Sequence, residues 1–156
     1  PSEEIYAHGV NLMLLNYKRP LPQIKTTNYV ASLVSIPEQR KNNAFDVLYY
    51  ADNHVLEVSR SNFFIVKNGV VITPAEGILP GINRKKVLEI ARAEFKIKET
   101  KITVDELLDA DEAFMTGTTK KVLPVTKINN NPIGNGNPGV VTSRLMELFA
   151  QLEQMS

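Results

Sequence analysis

The segment GILPGINRKKVLEIARAEF, Gly77 to Phe95, couples a chain break to a helix. Val87, Leu88, Ala91 and Phe95 recur at helical spacing after Pro80 and Gly81. The pattern therefore predicts a helix starting near Ile82, with Arg84, Lys85, Lys86 and Glu89 off its apolar face. The first backbone N–H groups of a helix have no partner within it and lie at the positive end of the macrodipole, so this turn could hold an anion. Thiol chemistry is ruled out, because the chain has no cysteine and hence no thiolate nucleophile, disulfide or Cys-based zinc site. The two histidines, His8 and His54, fall where the pattern predicts a strand or a tight turn. Surface or structural roles suit them better than a triad or a ligand set, so no metal is expected.

The composition bounds the partners. The 156 residues are 43% hydrophobic and 22% charged, enough for one real core. A net charge of +1 offers no electrostatic footprint for nucleic acid or an anionic membrane. No apolar run reaches spanning length, and PSEEIYAHGV lacks the regions of a signal peptide, so a soluble cytoplasmic protein is expected.

The elements that must position the anion turn follow from pattern. GVNLMLLNY reads as a buried strand, and KRPLPQ breaks it with two prolines. Val30, Leu33 and Val34 suggest a helix that Pro37 kinks or restarts, with Asn42 or Asn43 left-handed at its end. FDVLYY, VLEVS, NFFIV and VVIT read as strands joined by turns at ADNH and KNG. FKIKETKIT alternates like a half-exposed strand, and VDELLDA is a short acidic helix. EAFMTGTT is a strand ending in a hydroxyl-rich turn, and VLPVTKINNNPIGNGNPG is a hairpin with a Gly/Asn/Pro excursion. The terminal helix VVTSRLMELFAQLEQM carries an apolar stripe of Val141, Leu145, Leu148, Phe149 and Leu152. The expected class is mixed α and β.

Five motifs occur in order: IKTTNYV, LEVSRSNFFIVKNGVVITP, LPGINRKKV, DEAFMTGTTKKVLPV and GNGNPGVVTSRL. Together they resemble the fold-type IV pyridoxal-phosphate enzymes, which include branched-chain and D-amino-acid aminotransferases and 4-amino-4-deoxychorismate lyases. The resemblance covers nearly the whole chain. It implies a D-amino-acid aminotransferase-like cofactor domain, with a mixed sheet or pseudo-barrel and flanking helices.

The resemblance also assigns roles. Pyridoxal phosphate needs a lysine amine for its Schiff base and for later proton shuttling, which falls to Lys25. A carboxylate must keep the pyridine nitrogen protonated, and Glu57 holds that position. The backbone N–H groups of Ile82 and Asn83 and the hydroxyl of Thr118 would bind the phosphate, with Asn83 standing where threonine is expected. Thr118 and Thr119 would take the substrate carboxylate. Tyr29 is matched to a tyrosine that binds the phenolic oxygen, with core packing as the alternative. It follows the lysine by four residues, a spacing closer to the D-amino-acid and lyase branches than to the branched-chain enzymes. Arg60 departs from the small residues expected in its place.

Family members carry an N-terminal domain before the lysine motif, and their active site lies between the domains and near a dimer partner. Residues 1–156 are therefore expected to be the C-terminal, cofactor-binding domain, with the N-terminal domain absent from this chain and a homodimer or higher homo-oligomer as the assembly. The implied activity is transamination between an amino acid and a 2-oxo acid, in a ping-pong cycle. The alternatives are a lyase reaction on an amino-deoxy intermediate and a non-catalytic domain.

Overall fold

Apolar runs without a wet face need neighbours on both sides. In the computed structural model, which describes residues 1–156, β1 (Val10–Asn16) runs parallel to β2 (Asp46–Ala51) on one side and to β8 (Lys121–Ile128) on the other. Antiparallel pairs join β2 to β3 (His54–Val58), β3 to β4 (Ser61–Lys67), β4 to β7 (Glu112–Gly117) and β7 to β8. The path β3-β2-β1-β8-β7-β4 closes on itself at the β3–β4 hairpin, where Val58 faces Ser61 across a turn made of Ser59 and Arg60. This is the mixed pseudo-barrel expected from the sequence. β5 (Val70–Thr73) extends the sheet from β4, β6 (Lys96–Glu99) adds parallel to β5, and β9 (Asn131–Pro132) pairs with β8.

The pleat sends alternate side chains of one strand into different cores. Phe63 and Ile65 of β4 join Leu12, Met115 and Leu123 in one cluster, against which Ile5 and Tyr6 of α1 (Glu3–His8) pack. Phe64 and Val66 face the other way, under α4 (Ile82–Ala91) and α6 (Val140–Gln154), with Val87, Leu145 and Phe149. There the rings of Phe64 and Phe114 stack with centroids 4.7 Å apart. A third cluster, Met13, Val47, Tyr49, Leu56 and Ile78, covers β1 to β3.

Turn chemistry sets the register. Asp52 and Asn53 both have positive φ, as do Asn68 and Gly69, which fits the ADNH and KNG hairpins. Pro37 restarts the helix: α2 (Val30–Val34) ends and α3 (Ile36–Lys41) begins with proline in its first turn, where no helical hydrogen bond is lost. Asn43, not Asn42, takes the left-handed conformation after it.

Four expectations need correction. Residues 3–8 form a helix, with the Ile5 N–H donating to Ser2 Oγ at 3.4 Å, so His8 closes a helix rather than lying in a strand or turn. Arg84 points inward: its Nη2 donates to Pro74 O at 3.1 Å and pairs with Glu99 at 3.0 Å, because the edge strand β6 brings a carboxylate under the helix. The FKIKETKIT strand is short, since Thr103 leaves it to cap α5 (Val104–Leu108) in a reciprocal box with Glu106. Phe95 lies beyond the end of α4, yet still packs against the α4–α6 cluster.

Candidate active site

Loops at one end of the barrel enclose a cavity of about 600 Å³. Its wall combines the 19–29 segment, the β3–β4 hairpin, the turn before α4 and the β7–β8 turn. All the residues singled out from sequence, Lys25, Tyr29, Glu57, Ile82, Asn83, Thr118 and Thr119, line this one cavity.

Glu57 sits deep in the wall, near the end of β3. Its Oε2 accepts from Arg19 Nε at 3.2 Å, and its Oε1 accepts from the Leu79 N–H at 3.1 Å. Burial nonetheless pushes its pKa above the usual glutamate value, outweighing the opposing pull of the Leu79 N–H and of Arg19. Each oxygen of the carboxylate accepts one bond from the chain and keeps lone-pair capacity for a further donor. Arg19 also ties down the loop that carries the lysine, donating to Ile24 O at 3.3 Å and Pro22 O at 2.6 Å.

The anion turn is held by Asn62, whose Nδ2 donates to Leu79 O at 2.6 Å and whose Oδ1 accepts from the Gly81 N–H at 3.2 Å. A Cβ on Gly81 would lie 2.5 Å from that Oδ1, so the close approach requires glycine. Gly81 is also the N-cap of α4 and has no side chain to cap its first turn, leaving the Ile82 and Asn83 N–H groups free for an anion. The Asn83 side chain amide donates to Gly117 O at 2.8 Å, joining the helix to the β7–β8 turn.

That turn carries Thr118 and Thr119, both exposed towards the cavity mouth, above Thr116, whose buried Oγ1 has no hydrogen-bond partner. Tyr29 lies outside the three apolar clusters, so core packing is not its role; its ring is stacked under the Arg60 guanidinium, 4.2 Å from the centroid.

Sequence reasoning assigned nothing to Arg19, Asn62 or Lys120. Lys120 Nζ lies 3.2 Å from Ser61 Oγ and 3.9 Å from Asp46 Oδ2, and burial lowers its pKa against the pull of Asp46. Asn62 had a signal in the S-x-S-N run after Glu57; Arg19 and Lys120 had none. No group of three or more His, Cys, Asp or Glu side chains is arranged to hold a metal ion, and no helix is long and apolar enough to cross a membrane.

A cavity joining an exposed lysine, a buried carboxylate and a bare helix N-terminus is found here in a chain whose residues 1–128 match the amino-transferase class IV family. The chain belongs to that family. It is 33% identical over 159 residues to a branched-chain-amino-acid aminotransferase of Pseudomonas aeruginosa, covering 96% of this chain and 52% of the relative. It is also 37% identical over 125 residues to a D-alanine aminotransferase of Bacillus licheniformis, covering 78% and 44%. A solved T.th. branched-chain amino acid aminotransferase with pyridoxamine 5'-phosphate superposes with a TM-score of 0.88 at 33% identity, over 96% of this chain and 52% of that one. The chain thus spans about half the length of these relatives.

Proposed function

We propose that this cavity is a pyridoxal-phosphate site and that the chain takes part in transferring an amino group between an amino acid and a 2-oxo acid. The observation that carries the reading is Glu57: a buried carboxylate, held by Arg19 and the Leu79 N–H, opens on the same cavity as Lys25 and an uncapped helix N-terminus. A protonated pyridine nitrogen is a donor that the spare lone pairs of Glu57 can take, and a phosphate dianion is what the helix N-terminus fits.

When bound, the cofactor supplies an aldehyde that captures the amino group and a ring that accepts the electron pair left when Cα loses its proton. The chain's own residues do the rest. Lys25 Nζ anchors the cofactor between turnovers and, once displaced by substrate, serves as the base that takes the Cα proton and returns it one bond further on. Glu57 holds the proton at the pyridine nitrogen. The Ile82 and Asn83 N–H groups and the Thr118 hydroxyl grip the phosphate, Thr118 and Thr119 orient the substrate carboxylate, and the Tyr29 hydroxyl meets the phenolic oxygen. On this reading residues 1–156 are the cofactor-holding half of a class IV enzyme. Exposed Val30, Leu33 and Val34 of α2 fit a surface covered in a homodimer, and a cytoplasmic location goes with the same reading.

The test is an amino-transfer assay with paired amino-acid donors and 2-oxo acid acceptors, with loss of at least about a hundredfold in Lys25→Ala. Acceptor-independent release of pyruvate from 4-amino-4-deoxychorismate would move the chain to the lyase branch.

A further inference from the structure

Arg60 is the cation in the cavity wall that no carboxylate neutralises. Arg19 is paired with Glu57, Arg84 with Glu99, and Lys120 stands beside Asp46. Lys25 is given a covalent task by the proposed function. Arg60 instead sits over the Tyr29 ring, exposed at the tip of the β3–β4 hairpin, with no acidic side chain paired to its five donors.

Its position relative to the β7–β8 turn narrows the use. A Cβ on Gly117 would lie 2.8 Å from Ser61 Oγ and 3.2 Å from the Arg60 carbonyl oxygen, so the Ser59–Arg60 turn abuts the turn of Thr118 and Thr119. Lys120 Nζ crosses between them to Ser61. The hairpin tip is itself anchored, since Ser59 Oγ donates to Asp46 at 2.7 Å and Asp46 also accepts from the Val47 N–H. The guanidinium is therefore presented from a fixed turn, beside the residues to which the proposed function gives the substrate's α-carboxylate.

An apolar substrate side chain brought to this wall would strip water from an unpaired guanidinium, which costs free energy that no partner returns. A carboxylate brought there would make a charge-assisted and potentially bidentate contact. We infer that Arg60 is a specificity residue that receives the second, side-chain carboxylate of a dicarboxylic amino or 2-oxo acid. This rests on the proposed function for the identity of the α-carboxylate site, but not for the contact of Arg60 itself.

The test uses equilibrium binding of two unreactive acids, glutarate and 4-methylpentanoate, to the pyridoxal-phosphate-treated chain, measured by calorimetry for wild type, Arg60→Ser and Arg60→Lys. The wild type should bind glutarate the more tightly. Arg60→Ser should weaken glutarate by about tenfold, as expected for loss of a charge-assisted hydrogen bond, while 4-methylpentanoate stays within about twofold; Arg60→Lys should restore part of the preference. Equal affinities in the wild type, or a parallel loss of both acids or of neither in Arg60→Ser, would overturn the inference. Borohydride fixation of the cofactor on Lys25, run on the same samples, reads the proposed function separately: a glutarate preference that depends on Arg60 without labelled Lys25 defeats that function alone, and labelled Lys25 without the preference defeats the inference alone.

Discussion

Arg19 Nε lies 3.2 Å from Glu57 Oε2, with the two side chains only 9% and 6% exposed, and the same guanidinium donates to the carbonyls of Pro22 and Ile24. One residue thus fixes both the carboxylate proposed to face the cofactor ring and the backbone next to Lys25. The loop it holds has few other restraints, and Leu21 within it adopts a left-handed conformation, φ 49°, unusual for leucine.

Arg19→Met should therefore move a pH profile. In the proposed site ionised Glu57 is the form that would bind a protonated pyridine, so cofactor affinity should be full above the Glu57 pKa and fall as pH drops through it. That pKa is already raised by burial, and Arg19 opposes the rise. Removing Arg19 should shift the acid limb to higher pH and cost up to about 3 kcal/mol of stability, as for one partner lost from a buried pair. A pH titration of cofactor absorbance in both chains reads the shift, and superimposable limbs would count against the coupling.

Gly81→Ala places a methyl group 2.5 Å from Asn62 Oδ1 and should push Asn62 off the Leu79–Gly81 turn. The expected result is about tenfold weaker phosphate-dependent cofactor binding, the loss of roughly one good hydrogen bond to an anion. Binding of pyridoxal, which lacks the phosphate, should change little. Equal losses for both forms would show that the turn does not act through the phosphate.

Glu112 of β7 caps α6 from outside the helix, its Oε2 accepting from the Val141 N–H at 3.2 Å and its Oε1 from the Thr142 N–H at 2.8 Å. Glu112→Ala should cost about 1–2 kcal/mol, the size of a lost N-cap, read as a lower urea midpoint with an unchanged slope. An unaltered midpoint would mean that water replaces the cap.

Asp111 anchors the β4–β5 hairpin through the Asn68 N–H at 2.8 Å, and this bond, with Lys67 alongside, holds its carboxyl below the ordinary aspartate range. A depressed folded pKa means that the contribution is fully present above the unfolded value of about 3.9 and is lost as pH falls through the folded one. Asp111→Asn should flatten that part of the acid unfolding curve and leave stability nearly independent of Asp111 below it. Thermal melts from pH 2 to 6 would show whether the wild-type and variant curves converge at the acid end.

The strands, the hairpins at Asp52–Asn53 and Asn68–Gly69, and the helix at Ile82 were legible because their signals are local: alternation, left-handed turn residues and an apolar stripe. The short first helix escaped notice because six residues give too little periodicity, although Ser2 marks its start. Arg84 was misread because its partner, Glu99, arrives from the edge strand β6, which no spacing within the helix reveals. Lys25, Glu57 and Thr118 were singled out because the motifs attach a role to them; Asn62 and Lys120 lie in the same motifs but, like Arg19, take their place in the wall from contacts that the motifs do not show. Arg19 reads as a surface charge among prolines until the fold sets it against a carboxylate.

The central claim, that Lys25 is the amine of a pyridoxal-phosphate site, is tested most directly by treating the chain with pyridoxal phosphate, reducing with borohydride and mapping the modified peptide, in wild type and in Lys25→Ala. The expected result is a visible band that borohydride removes, a phosphopyridoxyl label on the peptide containing Lys25, and neither in the variant. A label scattered over other lysines, or equal labelling of the variant, would contradict it.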